Sequence, residues 1–406
     1  MISCRRAARA LLVVALWCAG ACSGTTNPDT WSSAEAASAV VGEPLSPRIW
    51  SRQVWTGSEL LNYGGVSVDT NVTTNMVTSI DPVTLDVTRV YDPPPFSASF
   101  GGSLEWIDDL VYFSGSQCSD DDKNSGRYPE SNDCPYEAVL ATLDPESGVW
   151  ERLDLPPGTE DGIRVLGSVP DVGVLATAGQ NPTRLWALTT DGDWTELPGS
   201  PLQETTPQNN ERPRGYVVKG SCVLGDTVVQ FGSERLAGTT GRDITAAVLD
   251  LGERDPEWTT STRPELDLDQ APDILCGEDA MVFSPLTGPS GPIMRFSPDD
   301  ESWTSICPSS VQPSDVALPF TLLGRPGSTG REVVYPGAPG VSSQIVDIAT
   351  GEWRAGPPSA GLFEEIPTWI GTGFVGVSAT GASGQFTTPE PMELPPTGTL
   401  FVFDVE

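Results

Sequence analysis

Between Cys118 and Cys134 the chain carries Asp120-Asp121-Asp122-Lys123-Asn124-Ser125-Gly126, with oxygen-bearing side chains at alternate positions, as the ligands of a calcium loop are arranged. The glycine stands one place late for that geometry, and the twelfth position is Ser131 instead of glutamate. The stretch reads as a solvated acidic loop, and no metal or other cofactor is expected. The two bracketing cysteines do carry chemistry. In a secreted chain they would form a disulfide, and closing a loop of this size contributes roughly 3 kcal/mol in the chain-entropy picture. Three further cysteines, Cys222, Cys276 and Cys307, leave room for one pair and one free thiol, and their spacing does not choose among them.

The chain contains no histidine. Ser-His-Asp triads, Cys-His dyads and His-based metal sites are therefore excluded. Carboxylate chemistry survives, because a glycosidase-like pair needs two Asp or Glu about 5–9 Å apart. Sequence cannot pick such a pair from 55 acidic residues. Gly371-Thr372-Gly373-Phe374-Val375-Gly376 is a formal G-x-G-x-x-G, but no helix follows it, so it is a chance match inside a strand pair.

Charge and leader narrow the partners. The formal net charge is −33, which repels nucleic acid and anionic lipid surfaces and sets aside a DNA- or RNA-binding role. Arg5, Arg6 and Arg9 precede an apolar run from Ala10 to Trp17, then Ala19-Gly20-Ala21 and Cys22. That is a charged region, a short apolar region and a small-residue cleavage site, too brief to span a bilayer. A Cys directly after the small residues resembles the lipobox of bacterial lipoproteins, in which that Cys becomes the lipidated first residue. The resemblance implies a signal peptide over 1–21, lipidation at Cys22, and an extracytoplasmic protein held at the membrane or envelope only by its lipid. Residues 22–40 are small, polar and aperiodic, and read as a flexible tether.

The elements that must carry these residues repeat. Five segments run from a turn through a Trp to proline, at Trp150, Trp194, Trp258, Trp303 and Trp353, and a sixth has Val87 at the Trp position. Seven apolar hairpins precede or follow them, at 54–65, 104–115, 166–179, 222–232, 275–285, 322–337 and 369–381. The mean interval is near 53 residues, enough for four strands per unit. The fold class is therefore all-β, a seven-bladed β-propeller of four-stranded blades over 41–406. The last copy ends at Asp404 without a Trp strand, so residues 40–48 are expected to complete the final blade. The five Trp residues are expected to serve blade packing.

The pair Gly64-Gly65, and Asp six residues before Trp (Asp144 to Trp150, Asp347 to Trp353), resemble the kelch pattern of propellers. A fold that presents long loops on a rigid ring, with no recognisable catalytic set, points to a non-catalytic binding or scaffolding module, monomeric, with an envelope protein or glycan as partner and no catalytic residues to name. The alternative is a carboxylate-dependent carbohydrate-active enzyme of hydrolase, lyase or sugar isomerase type, with its site in the central funnel.

Overall fold

The computed structural model describes residues 48–69, 74–96, 103–118, 136–160, 162–178, 184–202, 204–205, 214–234, 244–263, 273–277, 279–283, 293–306, 327–335, 342–358, 367–377 and 400–404. Everything regular in them is strand. Strand β1 (Arg48–Ile49) pairs with β4 (Val66–Ser67). The first blade is β2 (Arg52–Trp55), β3 (Leu60–Tyr63), β5 (Val77–Ile80) and β6 (Val87–Val90). The second is β7 (Ser103–Ile107), β8 (Leu110–Cys118), β9 (Tyr136–Leu143) and β10 (Trp150–Arg152). The third is β11 (Ile163–Val169), β12 (Gly173–Ala178), β13 (Leu185–Leu188) and β14 (Trp194–Glu196).

The fourth sheet has β15 (Glu204–Thr205), β16 (Arg214–Leu224), β17 (Thr227–Glu234), β18 (Ile244–Asp250) and β19 (Trp258–Arg263). The fifth is β20 (Asp273–Cys276), β21 (Ala280–Phe283), β22 (Ile293–Ser297) and β23 (Ser302–Ile306). The sixth is β24 (Gly327–Ser328), β25 (Glu332–Tyr335), β26 (Ser342–Asp347) and β27 (Trp353–Pro358). The last has three strands, β28 (Thr368–Trp369), β29 (Gly373–Val377) and β30 (Leu400–Asp404). No helix among the described residues is long and apolar enough to cross a membrane.

All seven expected hairpins form, and the propeller is built of four-stranded blades, but the expected count of seven such blades is corrected to five. The fourth sheet takes an extra strand, β15, beside β16, which is the first strand of its blade, and the last has three among the described residues. The repeat count registered hairpins, whereas the strand number of a sheet depends on which connecting segments pair with it. Completion of the last blade by residues 40–48 is not shown. Residues 40–47 lie outside the described residues, and Arg48 pairs beside the first blade. Its Nη1 donates to the Gly64 carbonyl at 3.3 Å, and a Cβ on Gly65, whose φ is +90°, would come within 2.9 Å of the Ile49 carbonyl oxygen. The glycine pair thus makes room for the incoming chain at the end of the second strand.

Apolar side chains fill the gaps between successive sheets. One cluster joins Leu61, Tyr63 and Val77 to Val111, Phe113 and Val139 of the next blade. Another joins Leu175 and Leu185 to Val228 and Leu249. A third joins Ile370, Val375 and Val377 of the last sheet to Leu60, Ile80 and Leu85 of the first. Strands β2, β7, β11, β16, β20, β24 and β28 lie side by side in that order, and β28 returns against β2. There the Thr368 hydroxyl donates to the Gln53 carbonyl at 3.5 Å.

The repeated Trp has a specific task. Trp150 Nε1 donates to the Asp92 carbonyl at 2.9 Å, Trp194 to that of Asp154 at 2.8 Å, and Trp258 to that of Pro198 at 2.7 Å. Each acceptor lies in the proline-rich segment that follows the fourth strand of the preceding sheet. In these three copies the motif "Trp, then proline" is therefore two halves of one latch, the Trp donating backward to the segment that follows the preceding copy. Trp303 packs on Phe231 and Phe296, at 5.9 and 4.9 Å between centroids. Trp353 begins β27, and its side chain lies outside the described residues. Trp194→Phe should cost about 1 kcal/mol in chemical denaturation, the net worth of one such bond. An unchanged midpoint would rule out the latch.

The Asp six residues before the Trp position caps the turn between third and fourth strands. Asp81 Oδ1 accepts the N–H groups of Val83 and Thr84, and Asp144 Oδ1 those of Glu146 and Ser147. Asp347 Oδ1 accepts the Thr350 N–H at 2.7 Å. Four residues after each Asp the backbone turns left-handed, at Leu85 (φ +61°), Gly148 (φ +77°) and Gly351 (φ +72°). That turn explains the spacing of six.

Candidate interaction face and inner strands

The first strands of the sheets surround the axis, so the chemistry of a central funnel would sit on them. On β7, Leu104 and Trp106 join the cluster shared with the first blade, while Ile107 joins the one shared with the third. Ser103 has the same parity as Ile107, and its hydroxyl meets Ser114 Oγ at 2.6 Å. Ser114 Oγ in turn accepts the Val165 N–H of β11 at 3.0 Å. Glu105 shares that parity, which directs it toward the third blade and Arg164.

Glu105 is half-buried and stands opposite Tyr112 in the strand pair. Desolvation pushes its carboxyl up to about 7, against the pull of Arg164 in the other direction. The Tyr112 hydroxyl is also raised, by burial first and then by Asp108 and Glu151. Among the described side chains of these first strands, Glu105 is the one carboxylate. A glycosidase-like pair is not what they assemble.

The turns joining first to second and third to fourth strands open on one common face, because the strands alternate in direction. In the described turns of that face, counted between strand ends, there are nineteen carboxylates and two arginines, Arg254 and Arg331. The face is strongly anionic, and its turns are short and hydrogen-bonded. Hydrogen bonds hold the carboxyls of Asp81, Asp144, Asp300 and Asp347 below the usual range, led by the Thr84 N–H for Asp81, the Ser147 hydroxyl for Asp144, the Ser302 side chain for Asp300 and the Thr350 N–H for Asp347. These four therefore keep their charge into mild acid.

Described residues of this face line two clefts. One, of about 640 Å³, lies between the fourth and fifth sheets, lined by Asp226, Asp250, Glu253, Asp255, Glu257, Asp299 and Glu301 with Thr227 and Thr259. The Thr259 hydroxyl donates to Glu301 Oε1 at 2.5 Å and the Ser261 hydroxyl to the Glu301 carbonyl at 2.9 Å, tying the two sheets together across it. Among the described residues no three carboxylates converge as metal ligands would. The other cleft, of about 390 Å³, lies between the sixth and last sheets, lined by Thr329, Arg331, Glu332, Asp347, Arg354, Trp369, Gly371 and Thr372.

The expected disulfide between Cys118 and Cys134 lies outside the described residues, as do Cys22 and Cys307. Cys118 ends β8, and its side chain is likewise outside. A disulfide does form between Cys222 and Cys276, with 5.5 Å between Cα atoms. It links β16 to β20, the first strands of adjacent sheets. The corresponding positions of these two cysteines in their hairpins were the available signal for that pair. Glu105 had a weaker one, as a lone acidic residue inside an apolar strand.

No family model and no curated protein matches the chain. Similar solved structures include the β-propeller domain of Cps50 (Swd1) from Myceliophteria thermophila, at 12% identity, covering 90% of this chain and 98% of that one, with a TM-score of 0.49. The β-propeller domain of the Trilobed protease from Pyrococcus furiosus is similar at 11% identity, over 82% of this chain and 91% of that one, TM-score 0.46. Puromycin hydrolase is similar at 16% identity, over 88% of this chain and 53% of that one, TM-score 0.48. At such identities nothing of their activities transfers to this chain.

Proposed function

We propose that this protein is a kelch-like propeller, lipid-anchored through Cys22 on the outer side of a membrane, acting as a non-catalytic binding or scaffolding module. The observation that carries the reading is the anionic turn face, with its nineteen carboxylates against two arginines in the described turns. Its turns are pinned by side-chain and backbone hydrogen bonds, so little ordering accompanies docking. A partner suited to it carries a basic surface, and attraction between the two would be steep in ionic strength.

Two measurements test the proposal. Envelope proteins captured on the full chain should be held at about 50 mM salt and released at about 500 mM. A variant with Glu253→Gln, Asp255→Asn and Glu257→Gln should capture them poorly. Equal capture by variant and parent, insensitive to salt, removes the acidic face from the reading. For the anchor, Cys22→Ser should move the protein from the membrane fraction to the soluble one. A parent chain that is itself soluble removes the lipid.

A further inference from the structure

The cleft between the sixth and last sheets differs in chemistry from the face around it. Arg331 and Arg354 stand against Glu332 and Asp347, so its fixed charges balance on a face that is otherwise anionic. Glu332, Arg354 and Asp347 are held in place. Arg354 Nη2 donates to both Glu332 oxygens, at 3.0 and 3.1 Å. Asp347 accepts the Thr350 N–H and hydroxyl, at 2.7 and 3.0 Å. Arg331, exposed at the mouth, is placed by its own backbone, whose carbonyl accepts the Ile348 N–H at 2.9 Å.

The Trp369 side chain, half-buried and braced on Phe374 at 4.9 Å between centroids, supplies an apolar wall. Beside it Gly371, with φ +95°, has nothing within 4 Å of where a Cβ would stand. The result is a small-ligand-sized cleft with one aromatic face, fixed planar donors, fixed carboxylate acceptors and threonine hydroxyls. Hydroxyl groups both donate and accept, so a polyhydroxylated ring satisfies all of these at once, with its C–H face on the indole. A charged ligand would leave the internal balance unmatched.

We infer that this cleft binds a neutral saccharide, a pyranose unit stacking on Trp369 with its hydroxyls shared between Arg331 and the carboxylates. The inference deepens the binding-module reading and rests on it.

The test is calorimetric titration of the full chain with maltotetraose, cellotetraose and chitotetraose, with tetragalacturonate as the charged comparison. At least one neutral tetramer should bind saturably. Trp369→Ala and Arg331→Ala should each weaken it about tenfold, the scale of one aromatic or charged contact. Trp369→Phe should keep most of the affinity. Thr372→Trp, at an exposed position, should block the cleft without disturbing the fold. No binding by any neutral tetramer overturns the inference. So does binding unchanged in Arg331→Ala and Thr372→Trp, or tetragalacturonate binding more tightly than all three. If the sugars fail while salt-sensitive protein capture persists, the saccharide site falls and the binding module stands.

Discussion

Replacing Cys222 and Cys276 together by alanine should lower the unfolding free energy by about 4 kcal/mol, the chain-entropy value for a loop of this size. The bond spans a sequence separation of 54 residues, from the first strand of the fourth sheet to the first strand of the fifth. Without it, the unfolded chain regains the freedom of that whole loop. The folded state also loses a covalent tie between adjacent sheets. Cys222 is buried among Phe231, Val229 and Ala246, so alanine there adds a small packing loss. Denaturant unfolding of parent and variant, with and without reductant, checks this. Reductant should lower the parent by about 4 kcal/mol more than it lowers the variant, which keeps any bond between Cys118 and Cys134. A loss under 1 kcal/mol would mean that packing between the sheets, and not the bond, holds this junction.

Glu105→Gln should stabilise the protein at pH 8 and leave it unchanged near pH 4.5. The folded carboxyl is raised to about 7, above its ordinary value of 4.5, so folding disfavours its charged form. Below the ordinary value the group is protonated in both states and costs nothing. The cost grows as pH rises from 4.5 toward 7 and levels off beyond. At about 1.4 kcal/mol per pH unit, the full difference is up to about 3 kcal/mol, reduced by whatever water reaches this half-buried side chain. Glutamine keeps the shape and removes the titration. The capped turn aspartates act in the opposite sense, their contribution present above the ordinary carboxylate range and lost as pH falls through their lowered values. The parent-minus-variant difference cancels them. Arg164→Ala should widen the difference, because it removes the charge that holds Glu105 down. A flat difference between pH 4.5 and 8 would place Glu105 in contact with bulk water.

Everything decided within a few residues was legible in the chain. The hairpins could be placed because their apolar alternation and turn residues act locally. The Asp-to-Trp spacing of six could be read because a capped turn with one left-handed residue is complete within that stretch. The anionic character of the protein and the exclusion of histidine chemistry are matters of composition. What the tertiary structure decided lies between segments far apart. The Trp latch needs an acceptor 40 to 60 residues upstream. The Gly64-Gly65 pair gains its reason only when β1 arrives beside it. Cys222 selects Cys276 because two first strands stand side by side, a distance that spacing does not encode. The strand count of each sheet depends on whether a connecting segment such as Glu204–Thr205 pairs, and the Glu105 carboxyl is raised only because folding desolvates it. Local sequence specifies the strand and its turn, while the energy of a contact between blades depends on which blade stands opposite.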